Sequence, residues 1–435
     1  MFHIEGFFNP YLSSGQTRLD AVLTITSDAQ AAATAPGASG RRVLGFVLDV
    51  SGSMNGEKLA QAKLAARRGI DMLSEDMYFF VVTFSGEAKV LVAACQATAA
   101  NKVLAHRALQ ALQAGGSTAM SKGLALALRE VKSCGASIAS VYFQTDGDNG
   151  LNDSDALGPV LEQCKGAFQC DCRGIGTDWR PAELRQIAAA LMGTADAVVD
   201  PAGLDEDLRS FLSRAMNKGI AGATLRLWSP KVVKITLGKQ MSPDILDLLP
   251  LAKRVDDKTL DIPLGAWASE ARDYQLVFEL PAGDIGDEML ACRAAIIYQG
   301  PTGEVKVPCD PIAVKWSADD GLTTRISKEV AHYTGQKELA DSIQEGLEAK
   351  AQGDEDKATR LLGRAAQLAE QSGNQEITRR LRKVVDVVDA GAGTVRLKKA
   401  NKAADMELEL GGTRTVRRRA GNAPVPAATD SAPST

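Results

Sequence analysis

The spacing of hydrophobic positions changes several times along this chain, and each change marks a change of architecture. Residues 1–30 read as extended. In Leu19-Asp20-Ala21-Val22-Leu23-Thr24-Ile25-Thr26 alternating and β-branched residues give the signature of a strand. An Ala/Gly/Pro/Ser-rich stretch over 31–40 reads as a linker. Then comes Val43-Leu44-Gly45-Phe46-Val47-Leu48, an unbroken apolar run with the length and composition of a buried parallel strand. Leu59, Ala62, Ala66, Ile70 and Leu73 follow at helical spacing. Further strands are expected over 78–84, 89–92, 138–145, 170–176 and 197–199, and further helices over 99–112, 119–131, 155–164, 181–191 and 204–216. This alternation over 41–220 predicts an α/β fold, a doubly wound and mainly parallel sheet with helices on both faces.

From Ala221 the pattern becomes one of short extended runs, over 224–228, 232–237, 274–280, 291–298 and 305–307, separated by Gly, Pro and Asp. It predicts an antiparallel β-sandwich over 221–316. The strands within 1–40 share this character and have no place in the α/β unit. They are expected to complete the sandwich, so that the α/β domain is inserted into it. Residues 317–390 carry few Gly or Pro and predict helices over 336–352, 354–372 and 374–388, a small helical bundle. Residues 391–435 are Gly/Ala/Pro/Ser-rich with basic clusters and are expected to form a disordered basic tail.

Composition narrows the functional classes. The 435 residues are 45% hydrophobic and 24% charged, enough to bury cores in two or three domains. A net charge of -4 and a pI near 5.7 give no global basic field for nucleic acid. Residues 391–435 carry eight Lys/Arg against four Asp/Glu, a net of +4, which leaves -8 on the rest. That tail has no aromatic residue to stack on bases, so nucleic-acid binding is not expected of it. Among seven cysteines, Cys164, Cys170 and Cys172 cluster without a Cys-x-x-Cys pair or a nearby His, so reduced thiols are expected rather than a zinc site. The N-terminus lacks a basic and apolar leader, and no stretch reaches the roughly 18 apolar residues of a membrane span. A soluble, cytoplasmic protein is the expectation.

The chemistry concentrates where the central apolar run ends, in Asp49-Val50-Ser51-Gly52-Ser53. The carboxyl end of a parallel strand is where open α/β sheets bind ligands. Asp-x-Ser-x-Ser brings one carboxylate and two hydroxyls, hard oxygen donors suited to Mg²⁺. Two distant stretches, Gly115-Gly116-Ser117-Thr118 and Thr145-Asp146-Gly147, lie at the ends of neighbouring elements and can complete such a site. In order, spacing and strand–helix context, Asp49, Ser51, Ser53, Thr118 and Asp146 are similar to the metal-ion-dependent adhesion site of von Willebrand factor A domains, over about residues 40–220. The resemblance implies that Ser51, Ser53 and Thr118 give hydroxyl oxygens to Mg²⁺ (or Mn²⁺ or Ca²⁺), that Asp49 and Asp146 ligate it directly or through water, and that one position accepts an Asp or Glu carboxylate from a protein partner. The alternative is that these residues cap helices. Asp148 is expected to cap the following segment.

Catalysis finds little support. His3, His106 and His332 lie in no motif, and neither a Gly-x-Ser-x-Gly elbow nor a phosphate loop occurs. A metal-dependent hydrolase is the least favoured reading. The layout resembles bacterial, especially actinobacterial, von Willebrand A proteins that accompany Ser/Thr kinases, PP2C-type phosphatases and forkhead-associated proteins. By that resemblance Thr413 and Thr415, set among arginines in Thr413-Arg414-Thr415-Val416-Arg417-Arg418-Arg419, are candidate phosphorylation sites for docking a forkhead-associated domain. The competing expectation is an adaptor for a MoxR-type AAA+ ATPase in metal insertion or complex remodelling.

Overall fold

A computed structural model describes residues 1–28, 41–150, 153–300 and 303–417. Strands β1 (Phe2–Phe8), β2 (Tyr11–Leu12) and β3 (Arg18–Ser27) open the chain. As expected, they belong to the sandwich. β3 pairs antiparallel with β1 and with a strand some 250 residues later, Leu23 lying opposite Tyr274. The linker expected over 31–40 lies outside the described residues.

The inserted domain is a six-stranded sheet. Its strands are β4 (Arg42–Asp49), β5 (Tyr78–Phe84), β6 (Ala88–Gln96), β7 (Ile138–Thr145), β8 (Gln169–Ile175) and β9 (Ala195–Val198), in the order β6-β5-β4-β7-β8-β9. All neighbours are parallel except the edge strand β6. Helices α1 (Glu57–Asp71), α2 (Ala99–Gln110), α3 (Met120–Ser133), α4 (Ser154–Cys164), α5 (Pro181–Ala190) and α6 (Leu204–Met216) cover both faces. Period-two alternation in β4 feeds both cores. Val43 and Val47 pack with α3, α4 and α5, while Leu44, Phe46 and Leu48 pack with α1, α2 and α6. Gly45 sits between Val43 and Val47, and a Cβ there would stand 2.2 Å from the Phe80 ring. We expect Gly45→Ala to overpack this face and lower stability by about 1–3 kcal/mol, measurable as a lower urea midpoint at unchanged m-value.

The chain runs from β4 outward to β5 and β6, then returns to build β7, β8 and β9 on the other side. The topological switch therefore falls between β4 and β7, and the strands' carboxyl ends at such a point are where open α/β sheets bind ligands.

The sandwich resumes with β10 (Ile220–Trp228), β11 (Lys234–Ser242), β12 (Leu246–Asp247), β13 (Lys253–Arg254), β14 (Thr259–Trp267), β15 (Glu270–Glu279), β16 (Glu288–Gly300), β17 (Gly303–Pro308) and β18 (Ile312–Trp316). One sheet has the order β1-β3-β15-β11-β12, the other β13-β14-β10-β16-β18-β2 with β17 on β16. Their inner faces enclose Trp267, Tyr274, Phe278 and Trp316, with Phe2 edge-on to Trp267 at 5.1 Å. β14 and β18 lie outside the expected runs. Pro263 and Gly265 (φ +70) interrupt the alternation of β14, whose register on β10 shifts between Ile220 and Thr224.

The C-terminal region begins with α7 (Asp320–Thr323), α8 (Lys328–Ala351), α9 (Glu355–Ser372) and α10 (Gln375–Val384). α8 and α9 form a tight hairpin, in which Gly346 lets Leu362 approach to 2.9 Å of where a Cβ would stand. Two expectations require correction. The helix expected over 374–388 stops at Val384, where the valine-rich segment becomes strand β19 (Val385–Asp389) and pairs with β20 (Thr394–Leu397). The disordered tail expected from 391 is folded as far as 417. After β20, helix α11 (Lys402–Gly411), N-capped by Asn401, buries Ala404 and Leu408 against α8–α10 and Met406 and Leu410 against the α/β domain. These contacts, rather than local propensity, order it. Residues 418–435 lie outside the described residues.

The segment after α11 straps three units together. Arg414 pairs with Asp196 of the α/β domain and Glu376 of α10, while the amide of Ile245 in the sandwich donates to the Thr413 carbonyl at 2.8 Å. Arg417 donates to the buried Asp273 at 2.9 Å, an acid that also accepts from Tyr333 of α8 at 2.6 Å. Among the described residues no helix is long and apolar enough to cross a membrane.

Candidate metal centre

Asp49 is the last residue of β4 and Asp146 directly follows β7, so both acids stand at the switch point, each fully buried. Ser51 and Ser53 are on the turn leaving β4, and Thr118 is on the loop entering α3. Backbone hydrogen bonds fasten these loops to each other: Gly52 N to Gly116 O (3.0 Å), Gly115 N to Val50 O (2.8 Å) and Val50 N to Phe84 O (2.8 Å). Gly116 makes its turn at φ +88, a conformation suited to glycine.

The five side chains expected from the sequence converge. Ser51 Oγ lies 3.1 Å from Ser53 Oγ, and Ser53 Oγ donates to Asp146 Oδ1 at 2.6 Å. A Cβ on Gly147 would lie 3.4 Å from both Ser53 Oγ and Thr118 Oγ1, so these two hydroxyls border one small space beside Gly147. Asp49 is held at both oxygens: Oδ1 accepts from Ser51 N at 2.7 Å and Oδ2 from the Thr145 hydroxyl. None of the three hydroxyls caps a helix. The first amides of α3 are satisfied instead by Asn149 Oδ1 on Met120 N (3.0 Å) and Asp153 Oδ2 on Ser121 N (2.9 Å). Among the described residues Asp148 pairs with Arg180 at 3.0 Å and caps no helix; residues 151–152, in the segment it was expected to cap, lie outside them.

The donor set fits a hard divalent cation. Among the described residues no three His, Cys, Asp or Glu cluster for a metal, so two carboxylates need the three hydroxyls to complete a shell, as an oxygen-loving ion allows. Burial raises the pKa of Asp49; hydrogen bonds from Thr145 and Ser51 oppose that, and the nearby charge of Asp146 adds to it. Two buried acids that repel each other are a site that positive charge stabilises.

Sequence reasoning missed the nearest positive charge. Lys58, in the first turn of α1, donates to Asp146 Oδ2 at 2.6 Å, the oxygen that Ser53 does not use, and lies 3.8 Å from exposed Asp178. Its helical position alone reads as solvated surface. Thr145, which buttresses Asp49, was legible only as the end of a strand.

The other candidates are engaged elsewhere. Thr415 Oγ1 donates to the Met241 carbonyl and to the Pro243 carbonyl at 3.2 Å, and Thr413 Oγ1 donates to the Leu410 carbonyl at 3.3 Å. His106 lies 3.1 Å from Asp71, and His332 Nε2 meets the Val416 carbonyl at 2.7 Å. Cys170 and Cys172 are buried on β8 with sulfurs 3.9 Å apart, and none of the seven cysteines is in a disulfide.

Comparison with known proteins bears on the fold as a whole. Residues 43–197 match the von Willebrand factor type A domain, and residues 367–412 match the von Willebrand factor type A C-terminal domain. The structure resembles a von Willebrand factor type A protein from Catenulispora acidiphila with a TM-score of 0.89 and 38% identity, covering 96% of this chain and 97% of that one. The ArnB paralog VWA2 from Sulfolobus acidocaldarius shares the fold, with a TM-score of 0.60 at 15% identity over 95% of this chain and 98% of that one. Among curated sequences, an uncharacterized protein of Synechocystis sp. is 32% identical over 210 residues, 47% of this chain and 49% of the relative. Inter-alpha-trypsin inhibitor heavy chain H4 of Homo sapiens is 26% identical over 202 residues, 44% of this chain and 22% of the relative. The chain thus spans about half or less of the length of these curated relatives. With the inserted α/β domain, the sandwich and the C-terminal helices all covered by the Catenulispora structure, the chain belongs to the von Willebrand factor type A family.

Proposed function

We propose that this protein binds a divalent cation through Asp49, Ser51, Ser53, Thr118 and Asp146, and uses it to grip an acidic side chain of a protein partner. The observation that carries this reading is the meeting of two fully buried carboxylates with three hydroxyls that cap no helix, at the switch point of the sheet. Mg²⁺ suits the all-oxygen donors and keeps waters that a carboxylate can replace; Mn²⁺ and Ca²⁺ are the other candidates. Three of the five donors are neutral, so the bound ion retains positive charge for that carboxylate. The von Willebrand A domain is a generic protein-interaction domain, and binding rather than turnover is the proposed role. The seven unpaired cysteines, six of them buried, suit a reducing, cytoplasmic setting.

Lys58 sets the affinity. Its ammonium holds Asp146 and would meet a cation there as a like charge, with Asp178, 3.8 Å away, as its alternative partner. We expect Lys58→Met to bind Mn²⁺ roughly tenfold more tightly than wild type, read by calorimetric titration; equal or weaker binding would contradict this role.

For the partner, we keep the proposal of an acidic protein ligand in bacterial phospho-signalling. Phosphorylation of Thr415 then requires release of the strap, because its hydroxyl is bonded to the sandwich carbonyls of Met241 and Pro243. Retention of proteins from extract in Mg²⁺ but not in EDTA, with Asp49→Asn as control, tests the proposal. Recovery of a forkhead-associated protein, a kinase or a PP2C-type phosphatase supports it. A MoxR-type ATPase would favour the adaptor reading, and turnover abolished by EDTA without stable retention would favour a hydrolase.

A further inference from the structure

A cavity of about 750 Å³ lies where the α/β domain, the sandwich and the segment after α11 meet. It is far along the sheet from the metal centre. The cavity takes Arg42, Gln169, Asp171 and Ala195, at the amino ends of β4, β8 and β9, whereas Asp49 and Asp146 stand at the carboxyl ends. The sandwich contributes Asp244, Glu270 and Arg272, and Leu410 and Thr413 close the third side. The volume falls within the roughly 300–1,000 Å³ of small-molecule sites.

Most charged groups of the wall already have partners. Lys218 Nζ donates to Gln169 Oε1 (2.7 Å) and Ser140 Oγ (3.1 Å). Arg272 donates to the Leu264 and Ala266 carbonyls, each at 2.8 Å, and Asp171 accepts from Thr194 N at 2.7 Å. Arg185 pairs with Glu409. Asp244 differs. Its main chain bridges to Arg414 and its carbonyl accepts from Gln240 at 3.2 Å, yet its carboxylate has no hydrogen-bond donor among the described residues. The residue is half-buried and lines the cavity. Burial pushes it up to about 6, against the opposing fields of Arg414 and Arg214, so it is largely ionised at neutral pH. Arg214, also on the wall, is only loosely engaged. It donates to Ser210 Oγ at 2.7 Å and stands 3.7 Å from Asp171. Beside these two opposite charges, the same wall carries apolar Met192, Phe211, Ile245 and Leu246.

We infer that this cavity is a binding site for a small amino-acid-like zwitterion, whose ammonium donates to the Asp244 carboxylate, whose carboxylate meets Arg214, and whose carbon body lies on the apolar wall. A half-buried carboxylate with no donor from the described residues is stabilised by a ligand that supplies one. The cavity touches all three units, so a ligand there also fastens them together. The inference is independent of the metal centre.

Calorimetric titration of the full chain with L-norleucine, and with hexanoate as the probe lacking the ammonium, tests it. Norleucine is expected to bind one per chain, and hexanoate at least about tenfold more weakly. Asp244→Asn, the same size without the charge, is expected to weaken norleucine binding by about tenfold or more; should that variant misfold, Arg214→Gln serves as the second probe, with the same expected loss. Absence of norleucine binding, equal binding of hexanoate, or binding unaffected in the variants would overturn the assignment.

Discussion

Asp49→Asn is expected to lose divalent-cation binding by at least about 100-fold while the protein stays folded. The substitution keeps the shape that Ser51 and Thr145 hold, and removes one of the only two charges in the donor set. Ligand charge count is a main determinant of affinity at all-oxygen sites. The effect on stability should run the other way. Burial raises the Asp49 pKa, with Asp146 adding to the shift, so the ionised carboxylate destabilises the metal-free fold. A raised carboxyl pKa makes a destabilising contribution that is present at neutral pH and fades as pH falls toward the unfolded value near ~4. In EDTA at pH 7 the variant should therefore be at least as stable as wild type, and any advantage should vanish near pH ~4. Urea unfolding at the two pH values, beside a Mn²⁺ titration, reads both effects. A variant that binds metal like wild type, or that unfolds in EDTA, would contradict this account.

The largest expected loss of stability lies away from the metal centre, at Arg173. This residue is in the middle of β8, 1% exposed, with its Nε on both oxygens of Asp207 in α6 (2.8 and 2.9 Å) and its Nη1 on the Cys172 carbonyl (2.9 Å). Arg173→Met fills similar space but leaves the acids around it uncompensated, and should cost about 3–5 kcal/mol. The pH dependence is specific. Burial alone would raise Asp171 and Asp196. The charges of Arg173, Lys218 and Arg214 around the first, and of Arg414, Arg380 and Arg173 around the second, hold them below the usual carboxylate range instead. A depressed carboxyl pKa contributes stability that is present above the unfolded value near ~4 and lost as pH falls through the folded one. Removing Arg173 relaxes both acids upward, so the gap between variant and wild type should narrow below about pH 4. A gap constant with pH would show that lost packing, and not charge, dominates.

The parts of this molecule that sequence patterning predicted are those in which one residue's environment is dictated by its neighbours in the chain. The run ending at Asp49 could only be a buried strand with an acid at its end, and Thr118 and Asp146 follow the same strand-end logic. The insertion into the sandwich was readable because Leu19–Thr26 had no partner within the α/β pattern. What was hidden depends on distant partners. Lys58 looks like any lysine in a helix until Asp146 is brought to 2.6 Å. α11 is short and lies between glycine-rich stretches, and Met406 and Leu410 gain their apolar surroundings only from the α/β domain. Arg414 and Arg417 read as a solvated basic tail, yet Asp196 and Asp273, more than 140 residues away in the chain, hold them in place. Asp244 carried no sequence signal, since its distinction is the lack of a donor.

Anomalous diffraction from a crystal soaked in Mn²⁺ tests the central claim most directly. The account predicts one strong peak enclosed by Asp49, Ser51, Ser53, Thr118 and Asp146, with the Lys58 ammonium displaced from Asp146. A map with no peak there, under Mn²⁺ concentrations that label other surface acids, would contradict it.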